Sequence, residues 1–262
     1  MATVNDILEF METLAPASLK EDWDRVGLNC GHKDKQVKKI LLALDPFDAV
    51  CQEAVEKGAD LLITHHALVW EPGFVTDEDV TGQRLLYLIE NGVAHCNAHT
   101  NLDLAPGGVN DVLAKTLGLS DVQIIDPVGK DAQGNDYGLL RCGYVEETDL
   151  CDFLPLVKKA LGTPMLRYCN AGLLVHKVAV GGGACAGELQ AAIAAGCDTF
   201  VTSDVKYNQF WDARAGGLNL IDAGHFATEN PVVAVLAEKL AAAFPEITVI
   251  CSKTHKDCMK FF

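Results

Sequence analysis

The stretch Leu61-Leu62-Ile63-Thr64-His65-His66 decides how the rest of this sequence is interpreted. Its apolar part predicts a buried strand. Its histidines come where that strand reaches the carboxyl edge of a sheet, which is where open α/β folds bind ligands. Successive side chains of an extended chain point to opposite sides. One histidine therefore faces the core, unless the backbone turns and offers both imidazoles to one centre.

Helical and strand-like segments alternate on both sides of this stretch. The predicted helices cover residues 4–14, 47–57, 82–90, 106–117 and 149–161, and the predicted strands cover residues 36–44, 60–64, 93–97, 138–145 and 164–168. Glycine and proline mark several ends, such as Gly58 after a helix and Pro46 after a strand. Because strands alternate with helices, the sequence predicts an α/β fold with a largely parallel or mixed sheet.

The second part of the sequence repeats the first. Residues 63–66, Ile-Thr-His-His, align with residues 201–204, Val-Thr-Ser-Asp. The apolar runs and glycines before them align at the same offset. A duplicated βαβ unit explains these matches. The sequence therefore predicts a single unit built of two internally duplicated α/β halves, 1–126 and 127–262, whose equivalent strand ends converge.

A histidine and an acid recur at the next pair of strand ends. Asp103 follows His99 by four residues, and Glu229 follows His225 by four residues. We expect both acids in loops that leave a strand, with a proline opening the helix that follows. The repeated spacing indicates that both pairs belong to one duplicated plan.

Composition restricts the class of protein. The chain has 262 residues, of which 49% are apolar, so it can bury a large core. The sequence shows neither a basic leader nor a long apolar window, so it predicts no targeting segment and no membrane span. Its ten cysteines are scattered without a Cys-x-x-Cys pair, which predicts reduced thiols in the cytoplasm. A net charge of -15 argues against nucleic acid as a partner.

The side chains at these strand ends form a candidate metal set, which comprises His65, His66, Asp103, His225 and Glu229, with His99 as a sixth candidate. Imidazoles and carboxylates suit zinc, iron, manganese, cobalt or nickel. So many ligands exceed the needs of one tetrahedral ion and favour two divalent ions about 3.5–4 Å apart, with Glu229 as the bridge. Taken singly, His65, His99 and His225 are each better explained as packed core residues than as ligands. The shared strand-end pattern favours the metal interpretation.

Three segments carry a resemblance to a known family: residues 64–66 (Thr-His-His), 98–103 (Ala-His-Thr-Asn-Leu-Asp) and 221–229 (Ile-Asp-Ala-Gly-His-Phe-Ala-Thr-Glu). They resemble the Nif-three-like dinuclear metal-centre hexameric proteins, whose members are often labelled GTP cyclohydrolase I type 2 homologs. The likeness covers nearly the whole chain. It implies two intertwined α/β halves, a toroidal homohexamer, and two divalent metal ions per chain bound by the five ligands named above.

Two classes of function fit such a site. In the first, the protein is a metal-dependent hydrolase in which a divalent ion activates water and His99 relays protons as the catalytic residue. If the substrate is a small nucleotide such as GTP, as the family label implies, water attacks C8 of the guanine ring and formate is lost. In the second, the metal-binding ring is a non-catalytic scaffold or regulatory binding protein. Lys206 and Arg214 are either phosphate contacts or ordinary solvated residues.

Two further segments leave alternatives open. Trp23, which lies among acids and before a glycine, either packs on the core or forms the rim of a pocket. The run Gly181-Gly182-Gly183-Ala184-Cys185-Ala186-Gly187 follows a predicted strand, but its last glycine comes one residue late for a dinucleotide-binding turn. We interpret the run as a turn that the backbone of another segment approaches closely, at the lining of the metal pocket.

Overall fold

The structure is a computed structural model that describes residues 1–71, 73–131 and 134–261. It contains two compact units, each formed by two separate stretches of chain. Unit 1 comprises Met1–Leu102 and Val233–Lys256, and unit 2 comprises Asp103–Val232 and the residues from Asp257 onward. These compact units divide the chain differently from the predicted halves 1–126 and 127–262. The halves describe the duplication in the sequence and stay a prediction.

Strands and helices alternate through most of the chain. The strands are β1 (Gly27–Cys30), β2 (Lys39–Ala43), β3 (Leu61–Thr64), β4 (Ala94–Asn97), β5 (Ser120–Ile125), β6 (Gly129–Lys130), β7 (Asp136–Tyr137), β8 (Leu140–Thr148), β9 (Arg167–Cys169), β10 (Val175–Val180), β11 (Thr199–Thr202), β12 (Asn219–Asp222) and β13 (Thr248–Cys251). The helices are α1 (Val4–Leu14), α2 (Asp48–Glu56), α3 (Val80–Glu90), α4 (Thr100–Leu104), α5 (Val109–Thr116), α6 (Leu150–Leu161), α7 (Leu189–Ala194), α8 (Tyr207–Ala215), α9 (His225–Glu229) and α10 (Pro231–Ala243). Among the described residues, no helix combines the length and the apolar character that crossing a bilayer requires.

The sheet of unit 1 has the strand order β1-β4-β3-β2-β13. Strands β4, β3, β2 and β13 run parallel, and β1 at the edge is antiparallel to β4. All four residues of the central strand β3 are buried, which explains the continuous apolar run in the sequence. Val50 and Ala54 of α2 and Leu88 of α3 pack in the core cluster that contains Leu62 of β3. This packing fixes the point at which His65 and His66 leave the sheet.

The sheet of unit 2 has the strand order β5-β8-β10-β11-β12-β9. Its middle strands β10, β11 and β12 are parallel, as are β2, β3 and β4 of unit 1. The long strand β8 is antiparallel to both of its neighbours, and β9 is antiparallel to β12. The α/β fold class is therefore confirmed, with a mostly parallel sheet in unit 1 and a mixed sheet in unit 2.

Several local features differ from the sequence predictions. Helix α5 begins at Val109 rather than at Pro106, because Gly107 adopts a φ of +73° that interrupts a helical path and Gly108 is the N-cap residue. Strands β1, β5, β6, β7 and β13 were not predicted. The residues of β1 are all only half-buried, and its sequence, Gly-Leu-Asn-Cys, lacks a clear alternation of apolar and polar residues.

Candidate metal centre

Three histidines come together at the carboxyl edge of the unit 1 sheet. His65 and His66 directly follow β3, and His99 lies two residues beyond the adjacent parallel strand β4. One ring nitrogen from each histidine lies within 4.8 Å of the others, and the ring centres are 4.9 to 5.4 Å apart. Because His65 and His66 share this cluster, the chain must turn after Thr64, as the second of the two sequence-based alternatives required.

Each of these imidazoles has its Nδ1 atom facing an oxygen. Nδ1 of His65 lies 2.8 Å from the carbonyl oxygen of Ala98, and Nδ1 of His66 lies 2.6 Å from Oδ1 of Asp45. Nδ1 of His99 lies 3.0 Å from Oδ1 of Asp24. An Nδ1–H directed at an oxygen selects the tautomer whose Nε2 lone pair can bind a cation. The three rings therefore have the arrangement that proteins use to hold metal-binding histidines.

Two buried or half-buried carboxylates behind these rings are held in the ionised form. Burial by itself raises the pKa of Asp24, but hydrogen bonding with His99 and Thr100 more than offsets burial and holds that pKa well below its ordinary value. Burial likewise opposes ionisation of Asp45, yet the contacts with His255 and His66 hold its pKa well below the usual range. An ionised acceptor makes a stronger hydrogen bond with the Nδ1–H group of an imidazole and increases the basicity of the Nε2 atom of that ring.

His95 has a packing role in the same unit. The hydroxyl of Thr64 donates to the carbonyl oxygen of His66 at 2.6 Å, so it accepts from Nε2 of His95 at 2.8 Å. His95 is completely buried, and burial lowers its pKa to about 3, so the ring is neutral. This buried histidine anchors the turn after β3.

The other predicted ligands, Asp103, His225 and Glu229, lie in unit 2. The expectation that both acids lie in loops is wrong, because Asp103 lies on the short helix α4 and Glu229 on the short helix α9. The four-residue spacing places His225 and Glu229 on one face of α9, with Nε2 and Oε2 2.9 Å apart. A carboxylate oxygen of Asp103 lies within 4.8 Å of one from Glu229. Both acids are buried, at 8% and 4% exposure.

His225 is held on its far side by Asp204, whose Oδ2 lies 2.7 Å from Nδ1. Asp204 has a φ of +52°, a left-handed conformation that residues other than glycine rarely adopt and that often accompanies a functional role. Burial lowers the pKa of His225, but Glu229 and then Asp204 more than offset this effect and raise it to about 9. Burial, together with the charges of Asp103 and Glu229, raises the pKa of the Cys185 thiol well above its ordinary value. This concentration of negative charge suits a divalent cation.

The glycine run passes directly beside this group, and the atoms closest to a Cβ position at Gly183 belong to the side chains of Glu229 and His225. Gly183 has a φ of +64°, and a Cβ atom there would lie 3.0 Å from Cδ of Glu229 and closer still to its Oε1. The carbonyl oxygen of Gly183 accepts a hydrogen bond from the hydroxyl of Ser203 at 2.6 Å, and its N–H donates to Oγ1 of Thr228 at 3.0 Å. The absence of a side chain at Gly183 is what leaves room for the Glu229 carboxylate.

The sequence analysis missed the groups behind the rings. Asp24, Asp45 and Asp204 face the Nδ1 atoms of His99, His66 and His225, and His255 contacts Asp45. The repeat offered one signal, because it aligns Asp204 with His66.

Lys206 and Arg214 are both exposed, and Arg214 stacks on the ring of Trp211, so the solvated interpretation fits them better than a phosphate contact. For Trp23, the core interpretation is wrong, since 62% of the residue is exposed.

We expect Asp45→Asn to weaken divalent-ion binding by roughly 10–100-fold, the usual effect of losing a group that orients a ligand. Oδ1 of Asp45 faces His66 and Oδ2 faces His255 at 2.8 Å, whereas an amide offers only one acceptor oxygen. Competition with a chromophoric chelator measures the affinity. Asp34→Asn removes the same charge from an exposed position of unit 1 and should leave it unchanged. Equal losses in both variants would contradict the orienting role.

Comparison with known proteins gives one consistent result. The sequence model of the family described as Duf34/NIF3 (NGG1p interacting factor 3) matches residues 2–258. The chain is 34% identical over 261 residues to a "GTP cyclohydrolase 1 type 2 homolog" of Clostridium perfringens, covering 98% of this chain and 99% of that one. It superposes on the crystal structure of Staphylococcus aureus hypothetical protein SA1388 with a TM-score of 0.92, 28% identity and 99% coverage of both chains. A Bacillus cereus protein related to NIF3 superposes with a TM-score of 0.91 and 25% identity, covering 100% of this chain and 99% of that one.

Proposed function

Because the chain belongs to the Duf34/NIF3 family, we propose that it binds two divalent metal ions and acts as a metal-dependent hydrolase. The ligands in this proposal are those predicted from the sequence: His65, His66, Asp103, His225 and Glu229. The observation that carries it is the histidine cluster of unit 1, in which Nδ1 of every ring faces an oxygen. The buried carboxylates of Asp103 and Glu229 in unit 2 supply the negative charge that such ions require.

The residues around the rings have separable roles in the proposed reaction. When bound, two divalent ions supply Lewis-acid activation of water and of a substrate oxygen. Ala98 and Asp45 hold the imidazoles of His65 and His66 in one orientation. His99 accepts and returns a proton at Nε2, while the ionised Asp24 at its Nδ1 stabilises the charged ring. This arrangement supports the role of His99 as a proton relay.

A small nucleotide is the substrate class that we propose. The name of the Clostridium perfringens relative, "GTP cyclohydrolase 1 type 2 homolog", makes GTP the first compound to test. In the proposed reaction, one water adds at C8 of the guanine ring and opens the bond to N9, which leaves a formamide. A second water hydrolyses the formamide and releases formate.

Elemental analysis followed by a turnover assay tests this function. Protein purified without added metal should contain close to two divalent ions per chain, and the identity of the ion narrows the chemistry. The metallated protein should then release formate from GTP, and chelation should stop the release. Fully metallated protein that converts no nucleotide would exclude the hydrolase and leave the non-catalytic metal-binding ring. Light scattering on the same preparation tests the homohexamer, which requires six chains of 28.1 kDa.

A further inference from the structure

Two tryptophans of unit 1 form an exposed aromatic pair beside the histidine cluster. The rings of Trp23 and Trp70 are stacked, with centres 6.5 Å apart and planes inclined by 27°. Both meet the ring of His99 edge to face, at centre distances of 5.8 Å and 5.0 Å. Yet Trp23 remains 62% exposed and Trp70 45% exposed. Aromatic surface of this size, left open next to polar catalytic candidates, is typical of a binding site.

A cavity of about 310 Å³ is lined by Asp24 and Val69, the chain neighbours of Trp23 and Trp70, and it also has basic residues in its lining. Lys20 and Arg25 line it, and Arg25 follows Trp23 by two residues, while Val69, which directly precedes Trp70, lines its apolar side. The acid in the lining is Asp24, which is buried and engaged with His99. The cavity therefore offers two cationic side chains beside a single carboxylate, which already contacts His99 and Thr100.

We propose that the aromatic pair and this cavity bind a nucleoside monophosphate-like ligand, a planar heteroaromatic ring that carries a phosphate. The ring stacks on Trp23 and Trp70, and the phosphate lies against Lys20 and Arg25. Stacking on tryptophan suits any nucleobase because every base has a π face. Arg and Lys are the side chains that best bind phosphate oxygens. A net charge of -15 disfavours binding of a longer nucleic acid, so the ligand in this proposal is a small molecule.

This inference deepens the proposed function and rests on it for the connection to catalysis, but binding itself can be measured separately. Calorimetric titration of the full-length, metallated protein uses three probes: GMP, guanosine, which lacks the phosphate, and ribose 5-phosphate, which lacks the ring. GMP should bind most tightly. Trp70→Leu should weaken GMP and guanosine by about tenfold each, since one stacking partner is lost. Arg25→Gln should weaken GMP and leave guanosine unchanged.

Unit 2 provides matched controls for both variants. Trp211 is 57% exposed and carries Arg214 over its ring, so Trp211→Leu and Arg214→Gln remove the same chemistry elsewhere. Both controls should bind all three probes as the unaltered protein does. Metal content close to that of the unaltered protein verifies that each variant is folded.

Three results would overturn the binding site. They are equal affinities for ribose 5-phosphate and GMP, unchanged GMP binding in Trp70→Leu, and tighter binding of a short oligonucleotide than of GMP. Failure of this site and failure of the hydrolase are distinguishable. Tryptophan-dependent GMP binding without formate release contradicts only the hydrolase, whereas formate release from GTP that is indifferent to Trp70→Leu contradicts only the stacking site.

Discussion

Gly183→Ala should abolish metal binding through Glu229 and His225. The new methyl group would lie 3.0 Å from Cδ of Glu229, closer still to Oε1, and 3.3 Å from Nε2 of His225, so the carboxylate must leave its position. Because a predicted ligand itself is displaced, the loss of affinity should exceed the roughly 10–100-fold effect of disturbing a group behind a ligand. Elemental analysis and chelator competition measure the loss.

The backbone conformation of Gly183 complicates this variant and calls for a control. A residue with a Cβ at a left-handed φ costs roughly 1–2 kcal/mol regardless of its neighbours. Gly196, also in unit 2, has a φ of +71° and no atom within 4 Å of the position of its Cβ. Gly196→Ala should therefore lose a similar free energy of unfolding but bind metal normally. If both variants bound metal equally well, the close approach at Gly183 would have no functional meaning.

Arg141→Met should destabilise unit 2 by roughly 3–5 kcal/mol, the usual cost of breaking a buried ion pair on one side. Arg141 is 1% exposed, and its Nε and Nη2 atoms bind the two carboxylate oxygens of Asp111 at 2.9 Å and 3.0 Å. Nη1 also donates to the carbonyl oxygen of Gly138 at 2.6 Å. Removing the guanidinium leaves these acceptors without that donor. The midpoint of urea-induced unfolding reports the change, provided that the slope of the transition is unaltered.

Two further variants isolate the cause of this loss. Lys130→Met removes an exposed lysine of the same unit that pairs with the exposed Asp136, so it should cost much less. Arg141→Met combined with Asp111→Leu removes both charges and should recover part of the stability lost in the single variant. A double variant less stable than the sum of the single effects would contradict the charge-pair explanation.

The parts of the fold that local patterns determine could be predicted from the sequence. Helix α1 has the predicted bounds, because Ile7, Met11 and Leu14 repeat at helical spacing and Thr3 caps the first turn. The apolar run before His65 is the central strand of its sheet. The clustering of His65, His66 and His99 follows from the same logic, since adjacent parallel strands end at the same edge.

The features that depend on distant pairing could not be predicted. Strand β13 completes the sheet of unit 1 by pairing with β2 from a distant part of the chain. Its four residues, one exposed and three half-buried, carry little signal of that partner. The contact of Asp24 with Thr100 joins residues 76 positions apart. Asp204 is different, because the repeat aligns it with His66, yet its carboxylate supports a histidine instead of joining the ligand set. Duplicated positions thus keep their place in the fold while their chemistry diverges.

Asp45 contacts both His66 and His255, and His255 comes 210 residues after Asp45 in the chain. A growing polypeptide leaves the ribosome from its amino terminus, so His66 emerges long before the residue that secures its acceptor. Until residue 255 has passed the exit tunnel and β13 has joined its sheet, Asp45 can contact His66 but not His255. We therefore expect the proposed site to reach its final form in a nascent chain only after residue 255 has emerged.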